Sequence, residues 1–270
     1  LRLTGWGWDD VKPLFIKQLD HFLGASEHHG AGGEWRVEYP RLRWDITDAF
    51  RDAAAQAGIP KSDDFNTGDN EGCGYFHVNQ KMGRRWSSAR GFLKPVLGRS
   101  NLRVETGCLA EKIEFDGLRA AAVRFRRNGE SKLARCRGEV ILAAGAIGSP
   151  QLLMLSGVGP ATQLAGHGLS ITLDKPGIGE NLQDHLQLRM IHKVTGVTTL
   201  NETYKSLVNR ALMGMDYALR RRGPLTMAPS QLGAFTRSDP HQERANIQFH
   251  VQPLSLDKFG DPLHDFPAFT

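Results

Sequence analysis

The chain has 270 residues, 40% of them hydrophobic and 23% charged, the balance of an ordinary globular protein long enough to bury one large core or two smaller ones. No apolar run approaches the ~18 residues of a membrane-spanning helix, which argues against a bilayer span. Lys and Arg total 34 against 29 acids, a net charge of +5 that is spread along the chain and reads as a solvated surface rather than a nucleic-acid footprint.

The first residue is Leu rather than Met, "LRLTGWGWDDV" starts in mid-pattern, and the other end stops at "PLHDFPAFT". Together they read as an internal piece of a longer polypeptide. "DDVKPLFIKQLDHF" then places Val11, Leu14, Phe15, Leu19, Phe22 and Leu23 near helical spacing. This predicts a helix over 9–23, capped by Asp9 or Asp10, with Pro13 in its first turn and Gly24 as its stop. "GASEHHGAGGEW" is a glycine-rich loop, "WDITDAFRDAAAQAG" a second helix running to Gly58, and "PKSDDFNTGDNEGCG" an exposed polar loop. Cys73, Cys108 and Cys136 match no CxxC spacing. They read as reduced thiols, not as a disulfide framework or zinc site.

From Tyr75 the texture changes. "GYFHVNQ" alternates like a strand, "KMGRRW" turns, and "SSARGFLKPVL" predicts a helix capped by Ser87. "NLRVET", "CLAEKIEF", "LRAAAVRF" and "SKLARC" read as short strands. Asp116-Gly117 and Asn128-Gly129 separate the last three, strong hairpin signals that predict an antiparallel meander.

"EVILAAGAIGSPQLLMLSGVG", residues 139–159, carries the most chemistry. Glu139–Ala144 reads as a buried strand of the kind covered by helices on both faces. Gly145–Gly148 leaves room for a flat ligand or another backbone. Ser149 as N-cap and Pro150 at the first position predict a helix whose free N–H groups favour an anion such as a pyrophosphate. Beyond it come a short helix in "PATQLAGHGL", strands in "SITLD" and "LQLRMIHKV", and a turn-rich "KPGIGENLQDH". "NETYKSLVNRALMGMDYALRRRG" predicts one long helix capped by Asn201, with Arg220–Arg222 at its negative end, and "ANIQFHVQPL" a strand.

"GAIGSPQLLMLSGVG" resembles the second signature of the glucose/methanol/choline family of flavin-dependent alcohol oxidoreductases, in its choline-dehydrogenase-like branch. "GWGWDDVKPLF", "GRRWSSARGFLKP", "NLRVETGCLAEKI", "PGIGENLQDH", "GPLTMAPSQLGAF" and "NIQFHVQPLSLD" agree in the family's order and cover nearly the whole chain. The resemblance implies an α/β fold: a Rossmann-like FAD-binding core with an antiparallel β-meander, plus part of an α+β substrate-binding domain. Residues 1–74 form a helical and loop segment with cofactor-lid or substrate-domain contacts, 75–185 the core portion, and 186–270 the partial substrate domain. It implies bound FAD, a choline-like or other primary alcohol oxidised to an aldehyde by hydride transfer to flavin, and oxygen, a quinone or another carrier as electron acceptor. The expected location is cytoplasmic, with peripheral contact at the inner membrane left open.

Residue by residue, Val104 matches the position whose backbone meets the adenine, and Ala143, Ala144 and Gly145 match the strand end along the adenosine side of FAD. Gly179, Asn181, Asp184 and His185 belong to a motif near the cofactor domain, and Arg85 and Ser87 to a stretch with a structural or pocket-lining role. The chain departs from the family in two places: no GxGxxG loop is present, and the catalytic His belongs to a segment beyond Thr270. The chain alone is therefore expected to turn over no alcohol, and a non-catalytic flavoprotein-like scaffold remains the alternative. Asp184-His185 is no charge relay, since neighbours on extended chain point apart. His28-His29, with no HExxH or second ligand cluster in the sequence, reads as solvated loop. His250 and Gln252 share a strand face and read as pocket-lining or as ordinary core or surface positions.

Overall fold

The computed structural model describes residues 3–258 and 260–270; Leu1 and Arg2, which open the first quoted stretch, lie outside them. Helix α1 (Trp8–Gln18) starts after Gly7, whose N–H donates to Asp10 Oδ2 at 3.0 Å. Asp9 and Asp10 at its start and Lys17 in its last turn complement the helix dipole. The expected helix over 9–23 is cut short, and Pro13 falls inside it rather than in its first turn. Leu19–His21 instead form β1, paired in parallel with β2 (Trp35–Val37). The reason is competition for the backbone. The glycine-rich loop folds back, so that His21 N–H donates to Gly30 O at 3.0 Å and Gly33 N–H to Leu19 O at 3.2 Å.

Helix α2 (Asp45–Gln56) buries Ile46, Thr47 and Ala54 and ends before Gly58, as its pattern predicts. Next come β3 (Gly72–Tyr75) and a tight hairpin of β4 (Gln80–Lys81) and β5 (Arg84–Arg85). The expected helix from Ser87 is a wide π-turn over Ala89–Leu93 running into a 3-10 turn over Lys94–Val96. Ser87 receives it through its backbone carbonyl, which accepts from Arg90 and Gly91 at 2.9 Å. Pro95 has no N–H to continue an α-helical ladder.

The meander forms as expected: β6 (Cys108–Asp116), β7 (Arg119–Arg127) and β8 (Glu130–Arg135) make a three-stranded antiparallel sheet. Asn128 and Gly129 both take positive φ at its second turn, as a type I′ hairpin demands. "NLRVET" forms no strand, and neither does Glu139–Ala144. A strand exists only by pairing its backbone, and among the described residues no segment pairs with 139–144. Its side chains are correspondingly open, with Ile141 80% exposed.

Helix α3 (Gly145–Leu155) begins earlier than predicted, with Pro150 inside it. Ala144 takes the cap position, and Ser149 reaches back so that its Oγ accepts Ala144 N–H at 3.1 Å. Buried Ser156, just past the helix, bolts α3 to the meander. Its Oγ accepts Ile113 N–H at 2.8 Å and donates to Leu152 O at 2.5 Å. β9 (Val158–Gly159), α4 (Ala161–Gly166) and β10 (Leu173–Asp174) complete this part, β9 and β10 pairing in parallel. Gly157, at φ +84°, is required there because a Cβ would meet Ser170 O at 2.4 Å.

Of the strand expected in "LQLRMIHKV", only β11 (His192–Lys193) forms. The single long helix predicted next is two. α5 (Leu200–Lys205) is capped by Thr199 with Glu202, and α6 (Leu207–Arg220) by Ser206, whose Oγ accepts Asn209 N–H. Asn201 is no cap. It lies buried with its amide donating to Ser255 O and His264 O while its Oδ1 accepts Ser255 N–H. The break between the two helices falls at Ser206, whose backbone is extended (φ −79°, ψ 126°), and Arg221 ends α6 in the left-handed conformation. β12 (Leu232–Thr236), β13 (Ile247–Val251) and β14 (Ala268–Phe269) follow, β14 pairing with β11.

β12 lies between β13 and β3 in a second antiparallel three-stranded sheet. Around it gather Ala54, Cys73, Tyr75, Leu232, Ala234 and Val251, with Tyr39, Phe50, Ile59 and Phe269 packed against them. Leu232 is fully buried, worth roughly 1.5–3 kcal/mol by transfer. Tyr75 brings a hydroxyl into this core, and it bonds Thr47 Oγ1 at 2.8 Å and Asp48 Oδ1 at 2.7 Å.

Two compact units result: Leu1–Arg99 with Leu188–Thr270, and Ser100–Gln187. Residues 75–99 belong to the first, the meander and α3 to the second. Among the described residues no helix is long and apolar enough to cross a membrane. Ser156→Ala strands the buried Ile113 N–H and is expected to cost about 1–3 kcal/mol, read as a lower urea midpoint at unchanged slope. Ser149→Ala, at the exposed Ala144 amide, is expected to cost no more than about 1 kcal/mol.

Candidate functional site

Two places concentrate the features that chemistry needs. The first, in the Ser100–Gln187 unit, is the start of α3. Ala143, Ala144 and Gly145 are all exposed. Gly145 sits at φ +80°, and a Cβ there would meet nothing within 4 Å. The first-turn N–H groups of a helix have no intrahelical acceptor, so this end offers donors beside uncluttered surface. Val104, 45% exposed, lies on irregular chain. The 177–185 loop packs at Gly179 against Met154 of α3, with Asn181 at positive φ. Asp184 Oδ1 accepts the backbone N–H of His185 at 2.8 Å, so the two side chains form no relay. Arg85 and Ser87 belong to the other unit, Arg85 exposed on β5 and Ser87 at the π-turn.

The second place overturns the reading of His28-His29 as solvated loop. His29 is only 7% exposed. Ser26 Oγ accepts both His28 and His29 N–H and turns the His29 ring inward. There its Nε2–H donates to Asp64 Oδ2 at 2.5 Å. The ring stacks on His21, centroids 3.9 Å apart and planes 7° from parallel. His21 Nε2 lies 3.2 Å from His77 Nδ1, and Phe22 sets its edge on His77. Asp64 is fixed by an Asx turn in which its Oδ1 accepts Asn66 N–H at 2.9 Å.

Burial, then the neighbouring His29 and His77, pushes the His21 imidazole down to about 4. Burial likewise lowers His77, against the opposing charge of Asp64. Burial would raise Asp64, but the Asn66 amide and His29 outweigh it and hold the carboxyl below its ordinary range. The cluster borders a cleft of about 610 Å³ whose lining includes Trp8, Phe15, Trp35 and Phe92. Nothing local in the sequence marks it: His29 and Asp64 stand 35 residues apart and match no ligand spacing. His250 is exposed with its ring against Phe76, while Gln252 is buried with its amide on Ser230 Oγ.

Residues 1–187 match the family model described as GMC oxidoreductase. The chain belongs to the GMC oxidoreductase family. It is 39% identical over 256 residues to the mitochondrial choline dehydrogenase of Homo sapiens, covering 95% of this chain and 43% of that protein. To the alcohol dehydrogenase [acceptor] of Pseudomonas putida it is 38% identical over 260 residues, covering 94% and 47%. The chain thus spans less than half the length of these relatives. The crystal structure of pyridoxine 4-oxidase from Mesorbium loti superposes with a TM-score of 0.79 at 27% identity, covering 98% of this chain and 48% of that one.

The α/β, FAD-binding class inferred from the sequence holds on these grounds, and FAD is the cofactor of this GMC chain. The start of α3 fits such a group: small exposed side chains, open space at Gly145 and unengaged amides suit a flat, anionic ligand.

The histidine cluster makes stability pH-dependent. The unfolded chain protonates His21 near its ordinary 6.5 and the native chain near about 4, so within that window the unfolded state binds more protons. Stability is therefore full above pH 6.5 and is lost as the pH falls toward 4, with His77 acting in the same direction. Urea midpoints measured across the window should fall with acid, and His21→Asn should flatten that fall.

Proposed function

We propose that this chain is the central part of an FAD-dependent enzyme that oxidises a primary alcohol, choline or a similar one, to the aldehyde. The supporting observation is the 39% identity to a choline dehydrogenase across 95% of the chain. Bound FAD supplies the hydride acceptor. The chain's own part is to bind and orient it. Ala143, Ala144 and Gly145 lie along the adenosine side, where their lack of bulk permits close approach, and the backbone of Val104 meets the adenine. The 177–185 loop, with Asn181, Asp184 and His185, closes beside α3, while Arg85 and Ser87 have a structural or pocket-lining role. In this reading residues 75–185 serve the cofactor, 186–270 are part of the substrate domain, and 1–74 supply cofactor-lid or substrate-domain contacts.

The activity is proposed for a protein of the relatives' length, in which a pyrophosphate-gripping loop and a general base join these residues. Oxygen, a quinone or another carrier takes the electrons. The three unpaired cysteines favour a reducing compartment, the cytoplasm or the cytoplasmic face of the inner membrane.

The test uses a full-length protein containing this chain. It should purify with flavin absorbance and reduce a dye when given choline or a simple primary alcohol; a colourless product, or one inert to all of them, refutes the reading. Gly145→Val places a β-branched residue at positive φ, a conformation costing L-residues ~1–2 kcal/mol, and sets bulk where the adenosine lies. The expected result is roughly tenfold less FAD retained per chain, with helical content unchanged by circular dichroism.

A further inference from the structure

The histidine cluster has no part in the reading above, and its geometry points elsewhere. One donor atom from each of His21, His29 and Asp64 lies within 4.8 Å of the others. A tetrahedral ion holding nitrogen at about 2.0–2.1 Å and carboxylate oxygen at about 2.0–2.2 Å sets its ligand atoms roughly 3.4 Å apart. The two rings now lie stacked 7° from parallel, so binding turns them out of that stack until each aims an in-plane lone pair at the common centre. We propose that His21, His29 and Asp64 form a binding site for a divalent transition-metal ion of the zinc class.

The donor set selects the ion. Two imidazoles with one carboxylate suit zinc and its neighbours, whereas calcium and magnesium require oxygen shells. Both histidines are buried, and His29 is set by its loop; His21 is bonded at both ring nitrogens, to Leu23 N–H at Nδ1 and to His77 at Nε2, so one of these bonds gives way to the ion and the other keeps the ring in place. Outer partners of this kind fix ring orientation and tune affinity at metal sites. The entering ion takes the place of the hydrogen between His29 Nε2 and Asp64 Oδ2, and that proton moves to Nδ1 or leaves to solvent. The site has an entry path, because His21, His28, His29, Asn66 and His77 all border the cleft. Three ligands leave one coordination position for a molecule in that cleft, the pattern of an open rather than a closed site.

The ligands come from three separate segments: the end of β1, the loop between β1 and β2, and the loop between α2 and β3. A bound ion would staple them together and stabilise the fold by mass action.

The decisive experiment titrates Zn²⁺ into the chelator-treated full-length protein containing this chain against a competing chromophoric chelator and records thermal unfolding alongside. One ion per chain, with a raised unfolding midpoint, is expected. Asp64→Asn keeps the shape and an acceptor for His29 but removes the anionic ligand, so it should weaken binding at least about tenfold. His29→Gln should abolish the stoichiometric site, while His28→Gln, one residue away, should leave it intact. No one-to-one binding, or equal losses in His28→Gln and His29→Gln, overturns the proposal and makes the cluster a hydrogen-bonded polar core only. Should His29→Gln fail to fold, the Asp64→Asn affinity decides. Cobalt substitution gives a second readout: intense tetrahedral visible absorption that Asp64→Asn alters supports the site, and an octahedral spectrum identical to the free ion overturns it.

Discussion

The larger unit depends on the double pairing of β12. A strand bonded on both sides satisfies its N–H and C=O groups without water, and β12 does so between β3 and β13 with Leu232 and Ala234 wholly buried. It thereby ties Gly72–Tyr75 to a segment some 160 positions away in the chain. The consequences run outward from β3. Cys73 exchanges backbone bonds with Pro60 and Ser62, and Phe76 N–H donates to Gln231 O. Those bonds fix the loop that carries Asp64 on one side and the approach to His77 on the other. The histidine cluster, nowhere contiguous in sequence, is thus an outcome of strand pairing.

Legibility followed the range of the determining interaction. The meander was readable because Asn128-Gly129 carries its own turn, and each strand meets its neighbour within a few residues. α2 was readable because its buried stripe and its stop lie within one segment. The switch from α1 to β1 was not, because Leu19–His21 keep a helical apolar spacing, and only the returning glycine loop decides their state. That Asn201 is not the cap escaped for a similar reason. Asn201 is a good cap by type, but residues 255 and 264 claim its amide.

Residues 139–144 show the difference between composition and pairing. Their apolar run records a buried environment, which is why it reads as a core strand. Burial preference alone cannot make a strand when no described segment offers the complementary ladder, and Ile141 and Ile147 stand 80% and 73% exposed. What survives is the local part: the start of α3, the capping contact of Ser149 and the bolt at Ser156.

The two candidate sites therefore differ in kind. Around Ala143–Gly145 the side chains carry no acid, base or ligand. What they provide is the absence of bulk beside free amides, so the site tolerates the loss of atoms and is damaged by their addition. The cluster of His21, His29, Asp64 and His77 has the opposite character. Each member is buried or nearly so and bonded to another, and removing any one leaves a partner without its bond at the cost of a desolvated polar group. A sequence search tuned to functional side chains finds the second kind only when its members lie close in the chain, and finds the first kind only through the pattern of small residues. That asymmetry explains why the stretch with the least side-chain chemistry was the one that revealed the family, while the most reactive groupings emerged only in the folded chain.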